Sequence, residues 1–382
     1  MKSPVLRIKN PRARALRGHP WVFAGEVESL PDPSHDGEAM PLHDLRGRLI
    51  GYGLYNSRSS IVWRVFSATA AVCDADYLRT ALTASIARRD GDPARRLVWS
   101  EADGLPGLVV ERFGDTLVVQ TLTLGMEQRL ETILEILEAM LAPATIILRN
   151  DAPSRQHEGL DAYARVVRGE SGAVAITLDG VHYSLDLLGG QKTGFYLDQR
   201  SQHVRVGALA RGRTVLDACC NQGGFALQCA LHGARSVLGV DSAAHAIEAA
   251  RRNAAVNQLE VTFEEANLFD WFTNHREARF DLIILDPPSF APNRKALPGA
   301  LRGYKELNLR ALRALNPGGI LATYACSHHI DSGTYYELLE EAAFDARRQV
   351  RLLEQTGQPT DHPVLLNFPE SRYLKGAVLQ AD

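Results

Sequence analysis

The chain has 382 residues, 45% of them hydrophobic, and a formal net charge of −3. That supplies two or three cores, since domains cluster at about 100–150 residues. No apolar run approaches the roughly 18–20 residues of a membrane span, and Met1-Lys-Ser-Pro-Val-Leu-Arg lacks a signal-peptide core, so neither a membrane protein nor a secreted one is expected. Cys73, Cys219, Cys220, Cys229 and Cys326 show no C-x-x-C spacing and no accompanying histidine pattern. They read as reduced thiols in a cytoplasm, with no metal expected.

In chain order, the first feature is a basic N-terminus. Lys2, Arg7, Lys9, Arg12, Arg14 and Arg17 precede the first acid, Glu26, and enclose or adjoin His19-Pro20-Trp21-Val22-Phe23. The overall charge argues against coating nucleic acid through bulk attraction, yet a local face of cations and aromatics suits phosphate contact with base stacking. An ordinary solvated edge is the competing reading. Short strands are predicted at Leu49–Tyr55 and Ile61–Phe66, giving a β-rich module over residues 1–70.

Residues 71–182 read as an α+β part. Leu78, Leu82 and Ile86 fall at helical spacing between Asp76 and Arg89, and two strands flank the turn Phe113-Gly-Asp. A helix from Met126 to Leu141 and a strand at Thr145–Leu148 follow. No catalytic constellation is visible there, so its expected role is to shape a substrate cleft.

From about Tyr183 strands and helices alternate, the pattern of an α/β doubly wound parallel sheet over 183–382. Strands are predicted at Thr214–Leu216, Ser236–Val240, Val261–Glu264, Leu282–Leu285, Ile320–Tyr324, Val350–Glu354 and Ala377–Leu379. Helices are predicted at Gly224–His232, Ala243–Asn257, Tyr304–Ala314 and Gly333–Arg347. Ligands in such sheets bind beyond the carboxyl ends of the strands. Asp217, Asp241, Asn267, Asp286 and Cys326 all fall at or just past such ends.

Within the first βαβ unit, Val215 and Leu216 lead to Asp217, Gly223 and Gly224 open a helix, and a second strand ends in Asp241. A carboxylate at that second position can accept both ribose hydroxyls, and glycines let backbone approach a ligand. The loop has no G-x-G-x-x-G, and Asp217 would repel a pyrophosphate. It suits a ligand with a cationic amino-acid tail, such as S-adenosylmethionine. A nicotinamide dehydrogenase is therefore disfavoured.

Several motifs span nearly the whole length in a consistent order: His19-Pro-Trp-Val-Phe, Glu101-Ala-Asp-Gly-Leu-Pro-Gly-Leu, Gln191-Lys-Thr-Gly-Phe-Tyr-Leu-Asp-Gln-Arg200, Gly223-Gly-Phe, Asp286-Pro-Pro-Ser-Phe, Arg302-Gly-Tyr-Lys, Ala325-Cys-Ser, Asp361-His-Pro-Val and Tyr373-Leu-Lys-Gly. With them the chain resembles the class I S-adenosylmethionine-dependent RNA methyltransferases that carry an N-terminal PUA domain. Most closely it resembles the large-subunit methyltransferase I family, which forms 5-methylcytosine in 23S rRNA. The resemblance implies a PUA fold up to about Ser67, 23S rRNA as partner, and a cofactor pocket walled by Gln199 and Arg200. It further implies Asp241 on the ribose and Asn267 with Leu268 flanking the adenine, while Asp217, Gly223, Gly224, Phe225 and Asp286 complete the pocket. Two departures stand out. Asn267 replaces the family's usual Asp, keeping an acceptor without charge, and the loop Ala218-Cys-Cys-Asn-Gln lacks the relatives' aromatic or hydroxyl residues.

Carbon 5 of cytosine is a weak nucleophile, activated when a thiolate adds to C6. Cys326 ends a strand expected beside the Asp286 strand and is the candidate nucleophile, with Asp286 holding the base through N3 or the amino group. Ser289 stands where many related enzymes carry a second cysteine, so one cysteine does the chemistry. The base that removes the C5 proton is not identified; His328, His329 and His362 qualify by type alone. Lys295 and Arg302, with Tyr304 and Lys305, are candidate RNA contacts beside Arg12, Arg14, Arg17 and Trp21. Cys219 and Cys220 read as small loop residues. Alternatives are methylation of guanine N7 or an exocyclic amine, which needs no thiol, and a non-catalytic RNA-binding protein. Base chemistry on an unstacked nucleotide points to RNA that is single-stranded or only partly assembled into a subunit. A homodimer is compatible with the sequence.

Overall fold

The computed structural model describes residues 4–89, 91–170, 172–190, 193–291 and 294–382. Of the residues named above, Met1, Lys2, Ser3, Gln191 and Lys192 lie outside them. Contacts gather the chain into two compact units. One comprises residues 1–174, 185–197 and 360–371; the other comprises 175–184, 198–359 and 372–382.

The first unit holds two five-stranded sheets. Strands β1 (Leu6–Arg7), β2 (Trp21–Phe23), β3 (Ala39–His43), β4 (Leu49–Tyr55) and β5 (Ile61–Ser67) pair in the order β1-β3-β4-β5-β2. Leu6, Ile8, Val22, Leu42, Val62 and Trp63 form their core. After α1 (Ala75–Ala87), strands β6 (Ala94–Trp99), β7 (Leu108–Phe113), β8 (Thr116–Thr121), β9 (Thr145–Asn150) and β10 (Tyr163–Arg168) pair in the order β10-β9-β8-β7-β6. The helix predicted from Met126 to Leu141 is two helices, α2 (Leu124–Glu127) and α3 (Leu130–Leu141). The break falls at Arg129, whose guanidinium donates to the carbonyls of Cys73, Gly37 and Gly125, so satisfying three acceptors outweighs one continuous helix. Leu54 and Phe66 of the first sheet join the core of Leu97, Leu108, Val119, Ile133 and Leu148. The two sheets thus share apolar burial.

Strand β6 is missed by sequence reasoning because it lies at an edge and carries Arg95 and Arg96. The four-residue helical turn after it, Ser100–Asp103, contains Asp103, whose buried carboxylate accepts from Arg89 at 2.8 and 2.6 Å, from Arg88 at 2.7 Å and from the Trp99 N–H at 2.6 Å. Both Arg89 and Asp103 are essentially solvent-free at their side chains.

The second unit is built on one seven-stranded sheet, preceded by the hairpin β11 (Val174–Leu178) and β12 (Val181–Leu185). Its strands are β13 (Thr214–Ala218), β14 (Ser236–Asp241), β15 (Thr262–Glu265), β16 (Phe280–Leu285), β17 (Leu315–Ala325), β18 (Val350–Gly357) and β19 (Lys375–Ala381), in the order β15-β14-β13-β16-β17-β19-β18. The helices are α4 (Arg200–Gly207), α5 (Gly224–Leu231), α6 (Ala244–Val256), α7 (Leu268–Asn274), α8 (Leu297–Ala314) and α9 (Ser332–Ala346). Five strands are parallel, while β19 runs antiparallel between β17 and β18, so the sheet is mixed rather than wholly parallel. Helix α8 starts seven residues before the predicted Tyr304, with Pro298 in its first turn, a position where the missing N–H costs nothing. Behind the sheet a buried network links three elements: Thr323 Oγ1 donates to Asn308 Oδ1 at 2.8 Å and lies 2.9 Å from the Tyr335 hydroxyl. Among the described residues no helix is long and apolar enough to cross a membrane.

Replacing Arg89 by Met leaves the Asp103 carboxylate buried with only Arg88 as cationic partner. The expected cost is about 3 kcal/mol, read as a lower urea midpoint by tryptophan fluorescence.

Candidate active site

The site is built at the carboxyl ends of the central parallel strands. In register, Asp217 of β13 pairs with Gly239 of β14 and Ile284 of β16, and Leu285 of β16 pairs with Thr323 of β17. Strand β16 is followed by Asp286 and β17 by Cys326. Extended backbone in adjacent strands therefore delivers Asp217, Asp241, Asp286 and Cys326 to one edge of the sheet.

Asp217 is fully buried. Its Oδ2 accepts from the Ala226 N–H at 2.9 Å, and its Oδ1 has no partner among the described residues. Burial, aided by the charges of Asp286 and Asp241, raises its pKa to about 8 although the Ala226 N–H opposes the shift. An orphaned buried carboxylate oxygen needs a cation or a donor, and a ligand ammonium meets that need. Gln199 supplies a second such group: it is 2% exposed, and both its amide oxygen and nitrogen are unpartnered among the described residues.

Asp241 ends β14. Its Oδ2 accepts from the Asn221 N–H at 2.9 Å and its Oδ1 from the Ala243 N–H at 3.0 Å. Each oxygen retains a lone pair, so the carboxylate is held in one orientation and still able to accept two hydroxyls. The intervening loop crosses the end of β14, with the Cys219 and Cys220 N–H groups donating to the Val240 carbonyl. Cys219, Asn221 and Gly223 have φ of 68°, 47° and 88°. This tight left-handed path explains the glycine at 223 and the small residues before it. Gly224 answers to packing instead: a Cβ there would lie 2.5 Å from the His203 ring on α4. His203 is kept neutral by burial, its pKa lowered to about 4.

Other expected residues land differently. The Phe225 side chain is buried between His203, with ring centroids 4.5 Å apart, and Tyr324, at 5.4 Å, so its ring packs the core and only its backbone remains for a ligand. Arg200 makes a paired contact with Asp179 at 2.6 and 2.9 Å, fixing the β11–β12 turn. The Asn267 carbonyl caps α7, accepting from Phe269 at 2.9 Å and Asp270 at 3.4 Å; the oxygen expected to meet an adenine is engaged by the helix end. Leu268 faces the core.

Tyr304 is fully buried, so the expected stacking of a base on it does not occur. Its phenol lies behind the site, where burial and then the charges of Cys326 and Asp286 push its pKa up. The Lys305 ammonium is committed to Glu341 at 2.9 Å and Asp345 at 3.0 Å, joining α8 to α9. Lys295 and Arg302 remain exposed. They line a cavity of about 570 Å³ with Phe269 and Phe290, aromatics that sequence reasoning missed as surface for a base. In the first unit Arg12 and Arg17 are exposed, whereas Arg14 binds Glu370 at 2.6 Å. Trp21 is partly exposed and partly engaged: its indole N–H donates to Glu101 at 2.6 Å, Arg64 stacks 5.1 Å from its ring and Phe368 meets it edge-on at 4.7 Å.

Of the cysteines, Cys73, Cys219, Cys220 and Cys229 have their thiol pKa values pushed up, in each case chiefly by burial, which disfavours thiolate chemistry. Cys326 is half-buried at the strand end. Of the candidate bases, His362 is buried with its Nδ1 2.8 Å from Asp361, while His328 and His329 are exposed on the loop after Cys326. Two residues from separate motifs meet: the Tyr373 hydroxyl donates to Asp198 at 2.7 Å.

A ligand ammonium beside Asp217 favours its charged form. Since the free carboxyl has a pKa of about 8, it is protonated at pH 7 and gives up its proton when S-adenosylmethionine binds. Calorimetry in buffers of different ionisation enthalpy is expected to show this proton release. Asp217→Asn should remove it and weaken binding at least about tenfold, near 1.4 kcal/mol.

Comparison with known proteins agrees with this geometry. The family model described as S-adenosylmethionine-dependent methyltransferase matches residues 117–369, and a PUA-like domain model matches 6–68. A ribosomal RNA large subunit methyltransferase I from Shewanella denitrificans is 37% identical, with 98% of each chain covered. Its namesake from Salmonella arizonae is 36% identical over 98% of this chain and 96% of the relative. A solved structure of a candidate SAM-dependent methyltransferase from Streptococcus mutans superposes with a TM-score of 0.85 at 19% identity, covering 98% of this chain and 99% of that one. Another, at 0.84 and 20%, covering 96% of this chain and 97% of that one, was solved complexed with SAH. The orphaned Asp217 oxygen, the two-oxygen cradle of Asp241 and the full-length likeness have one explanation: the chain belongs to the S-adenosylmethionine-dependent methyltransferases, in the ribosomal RNA large subunit methyltransferase I family.

Proposed function

We propose that the protein transfers a methyl group to C5 of a cytosine in 23S rRNA through a covalent bond between Cys326 and C6. The observation that carries this reading is the adjacency of the strands ending at Asp286 and Cys326, together with a single buried phenol, Tyr304, that feels both charges. S-adenosylmethionine supplies the electrophilic methyl group, with Asp217, Gln199 and Asp241 as its holders.

The chain's own chemistry then runs as follows. Asp286 orients the cytosine through N3 or the amino group, the Cys326 thiolate adds to C6, and electron density moves to C5, which accepts the methyl group. Removal of the C5 proton and expulsion of the thiolate restore the aromatic ring. Cys326→Ala is expected to reduce methyl transfer to background while cofactor binding by calorimetry stays unchanged. Full activity of that variant would move the reaction to guanine N7 or an exocyclic amine, where no thiol is needed. Asp286→Asn is expected to lower kcat about 10²-fold or more.

The RNA is engaged by two surfaces. The PUA-like module within residues 1–70 offers Arg12 and Arg17, and the second unit offers Lys295 and Arg302 above Phe269 and Phe290. Because the base leaves its stack, protein-free or partly assembled 23S rRNA is the better substrate, and bisulfite sequencing of rRNA from cells lacking the protein identifies the nucleotide. Lys295→Gln and Arg302→Gln are each expected to weaken RNA binding and to reduce the salt-dependence slope by about 1. Unchanged slopes in both would remove this face from the RNA path.

A further inference from the structure

Lys375 is a buried lysine outside the residues so far assigned a role. It is 3% exposed, begins β19, and pairs directly across the antiparallel ladder with Ala325, the residue before Cys326. Its ammonium nitrogen donates to the carbonyl of Ser327, the residue after Cys326, and to that of Ile330 at 2.6 Å. The amine is therefore fixed against the loop that carries the thiol, on both sides of Cys326 in sequence. Among the described residues, Cys326 from the loop and Asp331 from the start of α9 act on its charge. The buried Tyr304 of α8 also senses the thiol, and the exposed His328 of the same loop lies against Tyr373.

Burial lowers the Lys375 pKa to about 8, with Cys326 and Asp331 pulling it back up. Its neutral form has two N–H groups and one lone pair. The two carbonyls account for the N–H groups in either protonation state, so the lone pair can take a proton without breaking the loop contacts.

Resting on the reading of Cys326 as nucleophile, we propose that Lys375 is the positioning residue that takes the Cys326 thiol proton and holds the sulfur as a thiolate. The S–H electron pair stays on sulfur, the proton moves to Nζ, and an ammonium–thiolate pair stands ready to add to C6. When the thiolate is expelled at the end of the reaction, the same pair is restored. A cation beside the sulfur lowers the pH at which thiolate forms.

The test is the pH dependence of iodoacetamide alkylation at Cys326, followed by peptide mass spectrometry on the full-length protein. Wild type is expected to reach half-maximal rate at least one pH unit below the ordinary thiol value of about 8.5. In Lys375→Met that midpoint should rise by at least one unit, and Lys375→Arg, which keeps the charge, should hold it low. A wild-type midpoint at or above the ordinary value overturns the proposal even if the Met variant does not fold. Equal midpoints in wild type and a folded Met variant overturn it as well. Because alkylation is independent of methyl transfer, active Cys326→Ala would refute the nucleophile reading alone and leave the proton pairing separately decided.

Discussion

The carboxylate of Asp217, taken out of water at the centre of a parallel sheet with only one of its oxygens satisfied within the protein, is the constraint on which the second unit turns. Water-free surroundings make the charged form costly and raise its pKa to about 8. The free protein avoids that cost by keeping the carboxyl protonated at neutral pH. The neighbouring loop follows from it: the Ala226 N–H that caps one oxygen belongs to the first turn of α5, and α5 can start there only because Gly223 accepts φ of 88°. Gly224 in turn lets α5 close on His203. A change anywhere in this chain of contacts moves the acid.

The same strand ends make the chemistry local. Parallel pairing aligns β13, β16 and β17 so that Asp217, Asp286 and Cys326 follow one another across the sheet. The antiparallel β19 then places a lysine opposite the end of β17, which no parallel continuation of the alternating pattern would have done. Helices α8 and α9 lock these strands from behind through Asn308, Thr323 and Tyr335, all buried.

The first unit is held by a different device. Glu101, buried, accepts from Trp21 at 2.6 Å and Arg64 at 3.0 Å, and Arg64 also reaches Glu158 at 3.2 Å, which holds Asn56 and Ser59. Burial alone would raise the Glu101 pKa, but Arg64, Ser100 and Trp21 together hold it below the usual range. Motif residues that stand far apart in the chain are thus one polar network. Trp21 is tied into this network through its N–H and its ring, while Arg12 and Arg17 stay exposed.

The sequence by itself determined the fold class and the long central elements, because period-two apolar runs ending in acids and a glycine pair in a βαβ unit leave few arrangements open, and its ordered motifs pointed to the family. It left strands β1, β2, β3, β6, β10, β11 and β12 unseen; of these β1, β2, β6 and β10 are edge strands, short or carrying polar residues on their open faces. Only the tertiary structure decided which side chains have partners. It sent Tyr304 into the core, gave Lys305 to Glu341 and Asp345, turned the Asn267 oxygen onto its own helix, and left Gln199 and Asp217 with unmet groups. The reason is physical: spacing along a chain fixes which face a residue occupies, whereas hydrogen-bond satisfaction depends on groups that folding brings from distant positions, as it brings Lys375 to the loop of Cys326.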